Sequence, residues 1–116
     1  MTGKRILGAV TVLLTASVSF YAGRQSAPSL SVKLDNARVT VTESLTPAGG
    51  RREAYTRPTD QIIVFVDEAN YESVESGQAT LRKRMPGDIV WHSKGEAAPL
   101  LVNRGKAYRN LIIALK

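Results

Sequence analysis

The chain has 116 residues, a net charge of +6 and no cysteine, which allows one small domain. The lack of cysteine excludes thiolate metal sites and cysteine nucleophiles. Residues 1–25 contain Lys4, Arg5 and Arg24 and no acid, so the net charge of residues 26–116 is only +3. Because this charge is modest and aromatic residues do not alternate with the basic ones, we expect no nucleic-acid partner.

The N-terminal segment, residues 1–25, has the order of residues that is typical of a secretory signal. Lys4-Arg5 precedes an uncharged, mostly apolar run over 6–23, which Arg24 closes. The length of this run is at the lower edge of what crosses a bilayer. We therefore expect either a cleaved signal peptide and a periplasmic or secreted protein, or an uncleaved signal anchor that holds the protein at the membrane through residues 6–23.

The rest of the chain predicts short strands separated by turns. Residues 26–37 are expected to form a linker and a first strand. Val39, Val41 and Leu45 alternate with polar residues, which is the period of a half-buried strand. The run over 61–66 is apolar on both faces, which favours a central strand covered on both sides. Further strands are predicted at 71–75, 78–83, 89–92, 100–103 and 111–115. Strands of this spacing, with Gly, Pro and Asn turns between them, indicate an all-β sandwich or barrel.

Two turn motifs precede strands and carry a resemblance to a known family. Leu45-Thr46-Pro47-Ala48-Gly49 is a Pro-x-Gly turn, and Met85-Pro86-Gly87-Asp88 is a tight turn before Ile89-Val90-Trp91-His92. On these motifs, residues 38–116 resemble a small single-domain member of the cupin superfamily. The resemblance implies a jelly-roll β-barrel whose interior holds a metal through clustered histidines.

The metal-binding histidines of the family do not match in this chain. Tyr55 and Arg57 stand where the first cupin motif has two histidines, and Gln61 stands in place of its glutamate. In the second motif, Pro99 stands at the histidine position, and Asn103 follows at the asparagine position. A catalytic metal needs three or four converging imidazole or carboxylate ligands, and Arg57 places a permanent cation there instead. We therefore expect no metal and no other cofactor.

A barrel interior without a metal is still a natural cavity for a small ligand. Arg57 could bind a carboxylate or phosphate through two hydrogen bonds, with Tyr55 and Gln61 fixing its orientation. The candidate ligand-binding residues are Tyr55, Arg57, Gln61, Trp91, His92, Asn103 and Tyr108.

Each of these residues also has a structural interpretation. Arg57 could pair with a nearby acid such as Asp60, and Asn103 could cap the turn before the following glycine. Trp91 is expected in the core, in which case the adjacent His92 points outward, because neighbouring strand residues face opposite sides. The basic clusters Arg51-Arg52 and Arg82-Lys83-Arg84 lie beside turns, either as solvated loop charge or as contacts to an acidic ligand.

Three functions remain open on the sequence. The leading hypothesis is an exported, cupin-like binding module for a small anionic ligand or a protein partner. The second is a small isomerase or lyase that works without a metal or with atypical ligands, with His92 and either Tyr55 or Glu53 as its acid–base pair. The third is a structural or assembly role at the membrane. The resemblance also implies a homodimer, which would cover exposed edge strands.

Overall fold

The computed structural model describes residues 27–116, which form β-strands and turns and no helix. The signal or anchor segment expected over 1–25 lies outside the described residues. Within the described range, no helix is long and apolar enough to cross a membrane. The strands in this range are β1 (Ser29–Asp35), β2 (Val39–Thr46), β3 (Arg51–Arg52), β4 (Tyr55–Thr56), β5 (Gln61–Phe65), β6 (Ala69–Glu75), β7 (Gln78–Arg84), β8 (Ile89–His92), β9 (Ala97–Ala98), β10 (Leu100–Asn103) and β11 (Tyr108–Leu115).

The longer strands form two antiparallel sheets. One sheet has the order β1-β2-β11-β5-β8, and the other has the order β3-β10-β6-β7. Strands β4 and β9 form a separate two-stranded ladder. Neighbours such as β2 and β11 are far apart in sequence, so the chain crosses repeatedly between the sheets. The all-β class predicted from the strand spacing is therefore confirmed, and the two sheets enclose a common interior.

The interior is built from every second residue of each strand. On β5, Gln61, Ile63 and Phe65 are buried, while Ile62 and Val64 are only half-buried. The rings of Phe65, Tyr71 and Tyr108 form a cluster, with centroids 6.1 to 6.4 Å apart. Ring pairs at this distance add to the stabilisation from burial alone. This aromatic cluster, together with Ala69, closes one part of the interior.

The outer face of β5 differs from the sequence prediction of a strand covered on both sides. Ile62 and Val64 are half-buried and pair across the sheet with Trp91 and Ile89, respectively. Ile89 is 69% exposed and Trp91 is 52% exposed. The apolar outward residues are explained by lateral packing between neighbouring strands, because no described element covers this face.

The turn between β7 and β8 fixes where β8 begins. Gly87 has a φ of +90°, a conformation that only glycine adopts readily. The Asp88 carboxylate accepts a hydrogen bond from the Met85 amide at 2.7 Å. The Gly87 amide then donates to the Phe65 carbonyl at 2.8 Å. This network ties the turn to the end of β5 and so sets which residues of β8 face the interior.

Asn103 connects two loops at the end of β10, and it is 1% exposed. Its amide nitrogen donates to the carbonyls of Pro47 and Lys106, both at 2.9 Å. Its side-chain oxygen accepts from the Gly105 amide at 3.0 Å. The capping interpretation of Asn103 therefore agrees with the structure, and the buried side chain links the loop at Pro47 to the loop at Lys106.

We expect the substitution Asn103→Ala to lower the free energy of unfolding by roughly 2–3 kcal/mol, because it removes three hydrogen bonds of a buried side chain that links two loops. Asn36→Ala is the matched control, since Asn36 makes similar side-chain contacts to the Arg38 and Val39 amides in an exposed turn. That control should cost about 1 kcal/mol or less. Urea denaturation of both variants measures the difference, and equal costs would contradict the structural role of Asn103.

Candidate functional site

A cavity of about 310 Å³ lies between the two sheets. Its lining mixes polar and apolar side chains and carries more positive than negative charge. Hydroxyl groups of Ser44, Thr46 and Ser73 contribute to it, and Ile63, Val90 and Ile112 supply apolar wall. The charged side chains that line it are Arg52, Arg57, Arg82, Arg84, Glu75 and Glu96.

The basic clusters contribute to this cavity through the pleat of their strands. Arg52 faces the cavity from β3, while Arg51 points away and pairs with Glu53 at 2.8 Å. On β7, Arg82 and Arg84 line the cavity and the intervening Lys83 does not. The clusters therefore lie on strands rather than in loops, and alternation along each strand separates the arginines that face the ligand space from solvated charges.

Arg57 is the most enclosed charged group of the cavity, with only 5% of its surface exposed. Its main chain is held by the turn before β9, where Arg57 N donates to the Glu96 carbonyl and Gly95 N donates to the Arg57 carbonyl. Its Nη1 donates to Gln61 Oε1 at 3.1 Å and to Tyr55 Oη at 3.2 Å. Both acceptors are neutral, so these contacts orient the guanidinium without neutralising it.

The Nε atom of Arg57 is buried and has no hydrogen-bond partner among the described residues. The nearest carboxylate oxygen, Glu96 Oε2, lies 3.8 Å away, which is too far for a hydrogen bond. Asp60, the acid adjacent in sequence, instead accepts from the Lys94 amide at 2.8 Å. Asp60 is therefore not the partner of Arg57, and the nearby acid at ion-pair distance from it is Glu96.

Arg52 is a second enclosed cation next to Arg57. The Arg52 and Arg57 guanidinium carbons lie 5.4 and 5.5 Å from the centre of the Tyr55 ring. Arg52 Nη2 donates to the Pro99 carbonyl at 2.5 Å, but its Nε is buried without a partner in the described structure. Burial lowers the pKa of Arg52, since desolvation disfavours the charged form. The two guanidinium groups thus flank one aromatic ring at the cavity.

His92 enters the cavity from β8, opposite Gln61 on β5. Its Nδ1 lies 2.5 Å from Glu96 Oε2. The hydrogen bond to His92 lowers the pKa of the Glu96 carboxyl below its usual value. Glu53, which the sequence suggested as an acid–base partner of His92, is bound to Arg51 on the exterior. Glu96 was missed because it stands in a Lys-Gly-Glu turn, where a charged residue is ordinarily solvated.

The orientation of β8 is the reverse of the sequence prediction. Trp91 is exposed and does not line the cavity, whereas His92 lines it. The prediction of Trp91 in the core or as a pocket wall is therefore wrong. The turn network at the start of β8 fixes this register, and a preference for burying the larger residue does not override it.

The candidate residues from the sequence divide into three groups. Tyr55, Arg57, His92 and Tyr108 line the cavity. Tyr108 is 2% exposed, and its burial raises the pKa of its phenol. Gln61 is buried behind Arg57 and orients it, while Trp91 and Asn103 lie outside the cavity lining. The lining residues that sequence reasoning did not single out individually are Arg52, Arg82, Arg84, Glu75 and Glu96.

The residues at the metal-ligand positions do not fit a metal ion. Arg57 stands at one of the histidine positions of the first motif, and its guanidinium donates hydrogen bonds to Tyr55 and Gln61. Within residues 27–116, no group of three His, Asp or Glu side chains converges on a point. A guanidinium cannot be a metal ligand because it has no lone pair to offer at neutral pH.

The arrangement of the strands is similar to that of known structures. No protein-family model and no curated protein matches the chain. A cupin domain from Bordetella pertussis superposes with a TM-score of 0.69 and 20% identity, covering 78% of this chain and 94% of that one. A Klebsiella pneumoniae protein with a double-stranded β-helix domain gives a TM-score of 0.59 and 22% identity, covering 76% of each chain.

This chain has the cupin fold. The polyketide cyclase RemF from Streptomyces resistomycificus shares it, with a TM-score of 0.61, 16% identity, and coverage of 76% of this chain and 64% of that one. Proteins with this fold thus include an enzyme, and at these identities the likeness extends to the fold alone. The function of this chain therefore depends on the residues of its own cavity.

The exposure of Trp91 predicts a small effect of truncation. We expect Trp91→Ala to lower the free energy of unfolding by less than about 1 kcal/mol, against roughly 3–5 kcal/mol for a fully buried tryptophan. Phe65→Ala, which removes a ring that is 5% exposed, is the core control. Because the chain has one tryptophan, acrylamide quenching of its fluorescence reports the same exposure. A cost equal to that of Phe65→Ala would show that β8 faces the other way.

Proposed function

We propose that this cupin binds a small organic anion, a carboxylate or a phosphate ester, inside its barrel. The observation that carries the proposal is the pair of enclosed guanidinium groups of Arg52 and Arg57, which both line the cavity and lie 5.4 and 5.5 Å from the centre of the Tyr55 ring. Two cations held close together in a partly buried site are costly to desolvate and repel each other, and both effects lower the pKa of Arg52. An anion bound beside them in the cavity would offset these costs.

The charge around the cavity supports an anion over a neutral ligand. Four arginines and two glutamates line it, and one of those glutamates already bonds to His92. In an enclosed site of low dielectric constant, a charge-assisted hydrogen bond to a guanidinium is stronger than it is in water. The planar fork of arginine matches the two oxygens of a carboxylate or phosphate.

The remaining lining defines the kind of ligand that the cavity accepts. A volume of about 310 Å³ is at the small end of ligand cavities, so the ligand has the size of a small organic acid. Tyr55 and Tyr108 provide aromatic surface for its carbon skeleton, and hydroxyl groups of Ser44, Thr46 and Ser73 provide partners for its polar groups. We place this activity in an exported protein, because the N-terminal sequence has the order of a secretory signal.

Calorimetric titration of the full chain, purified in detergent, with acetate, inorganic phosphate and a series of small dicarboxylates tests the proposal. We expect Arg57→Gln to weaken binding of the best probe about 10- to 100-fold, which corresponds to one charge-assisted hydrogen bond. Arg57→Lys keeps the charge but removes the fork, so it should recover only part of the affinity.

Arg104→Gln is the matched control, because Arg104 pairs with Glu72 on the exterior and lies outside the cavity lining. Circular dichroism and thermal unfolding establish that each variant is folded before titration. Equal affinity of the wild type and Arg57→Gln for every probe, or binding that Arg104→Gln weakens as much, would contradict the proposal. A preference for phosphate over the carboxylates, or the reverse, identifies the class of anion.

A further inference from the structure

His92 and Glu96 form a hydrogen-bonded pair directly beside the arginine that is proposed to hold the ligand. One oxygen, Glu96 Oε2, lies 2.5 Å from His92 Nδ1 and 3.8 Å from Arg57 Nε. The other oxygen, Oε1, accepts a hydrogen bond from the Ser93 amide at 3.4 Å. A single carboxylate thus fixes the position of an imidazole relative to a buried guanidinium.

The pairing determines which nitrogen of His92 is available. A carboxylate only accepts hydrogen bonds, so a neutral imidazole bonded to it carries its proton on Nδ1. The lone pair then resides on Nε2, which makes no hydrogen bond to the described part of the chain. Because the His92 side chain lines the cavity and is itself 23% exposed, Nε2 is accessible to a molecule bound there. An imidazole oriented in this way by a carboxylate is a typical general base.

We propose that His92, oriented by Glu96, transfers a proton on a small acid that also carries a carbonyl group, such as a 2-oxo acid. The inference rests on the proposed binding of an anion by Arg57. Imidazole is a weak base, so it removes a proton from carbon only where an adjoining carbonyl stabilises the resulting electron pair. The ligand must therefore carry a carbonyl group in addition to its anionic group.

The step balances without any co-reactant. The C–H bond next to the carbonyl breaks, its proton moves to His92 Nε2, and the electron pair moves into the carbonyl to give an enolate. Arg57, whose Nη1 also donates to Tyr55 Oη at 3.2 Å, stabilises the added negative charge. The imidazolium exchanges its proton with solvent and then returns a proton to the same carbon, so that the C–H hydrogen is replaced by one from solvent. His92 is the catalytic residue and Glu96 is a positioning residue.

Proton exchange in D₂O, followed by ¹H NMR, tests this step on the full chain with pyruvate and 2-oxoglutarate as probes. We expect the wild type to accelerate loss of the proton signal next to the carbonyl. His92→Gln should reduce the rate about 100-fold, the lower end of the usual contribution of a general base. Glu96→Gln should reduce the rate about tenfold or more while the probe still binds, since its loss disorders the imidazole and leaves Arg57 in place.

Glu72→Gln is the matched control for Glu96→Gln, because Glu72 pairs with Arg104 outside the cavity. This variant should exchange at the wild-type rate. As the chain contains one histidine, its ¹⁵N spectrum gives a second readout without assignment. The wild type should show the proton on Nδ1, and Glu96→Gln should show a mixture of the two tautomers.

The outcomes separate the two proposals. If neither 2-oxo acid nor any simple anion binds, the proposed function fails and the proton-transfer inference fails with it. If the 2-oxo acids bind through Arg57 but the wild type exchanges no faster than His92→Gln, the binding proposal stands and the inference is overturned. Accelerated exchange that needs both His92 and Glu96, and not Glu72, supports the inference.

Discussion

The enclosure of Arg57 is the constraint on which the site depends. A guanidinium keeps its charge at any accessible pH, and taking it out of water is costly unless its donors are satisfied. In this protein, Gln61 and Tyr55 accept hydrogen bonds from one nitrogen of Arg57, and Glu96 Oε2 lies just beyond hydrogen-bond distance of Nε. Two main-chain hydrogen bonds to the β8–β9 turn hold Arg57 in place, the Glu96 carboxylate lies within ion-pair distance of it, and an anion in the cavity would further offset its charge.

The pleat of the strands then decides which charges share the cavity with Arg57. Arg52 and Arg84 face inward while their neighbours Arg51 and Lys83 do not line the cavity. The same alternation places His92 inside and Trp91 outside, once the turn at Gly87 has fixed the register of β8. A slip of one residue in β8 would exchange the two side chains and remove the imidazole from Glu96. The chemistry of the site thus follows from strand register more than from any single motif.

The fold was largely predictable from the sequence, and the site only in part. Period-two alternation in β2 and the Pro-Gly turn before β8 predicted strands that the structure confirms. Arg57, Tyr55, His92 and Tyr108 were named as cavity residues and do line the cavity. Glu96 was not identified, because its bond to His92 depends on how the β8–β9 turn folds back, and Arg52 was hidden in a basic pair. The prediction that Trp91 points into the core is wrong, since composition alone does not tell which side of a β-strand is the interior.

The most direct test of the account is the response of individual arginine Nε–H groups to an anion. In a ¹H–¹⁵N spectrum of the full chain, titrated with sodium acetate and then inorganic phosphate at constant ionic strength, each Nε–H is observed separately. We expect the signals of Arg52 and Arg57 to shift and saturate together. Those of Arg104 and Arg109, whose Nε atoms already donate to Glu72 and Asp67, should stay in place. If the Arg57 signal does not move while the exposed arginines shift in proportion to anion concentration, the barrel interior is not an anion site.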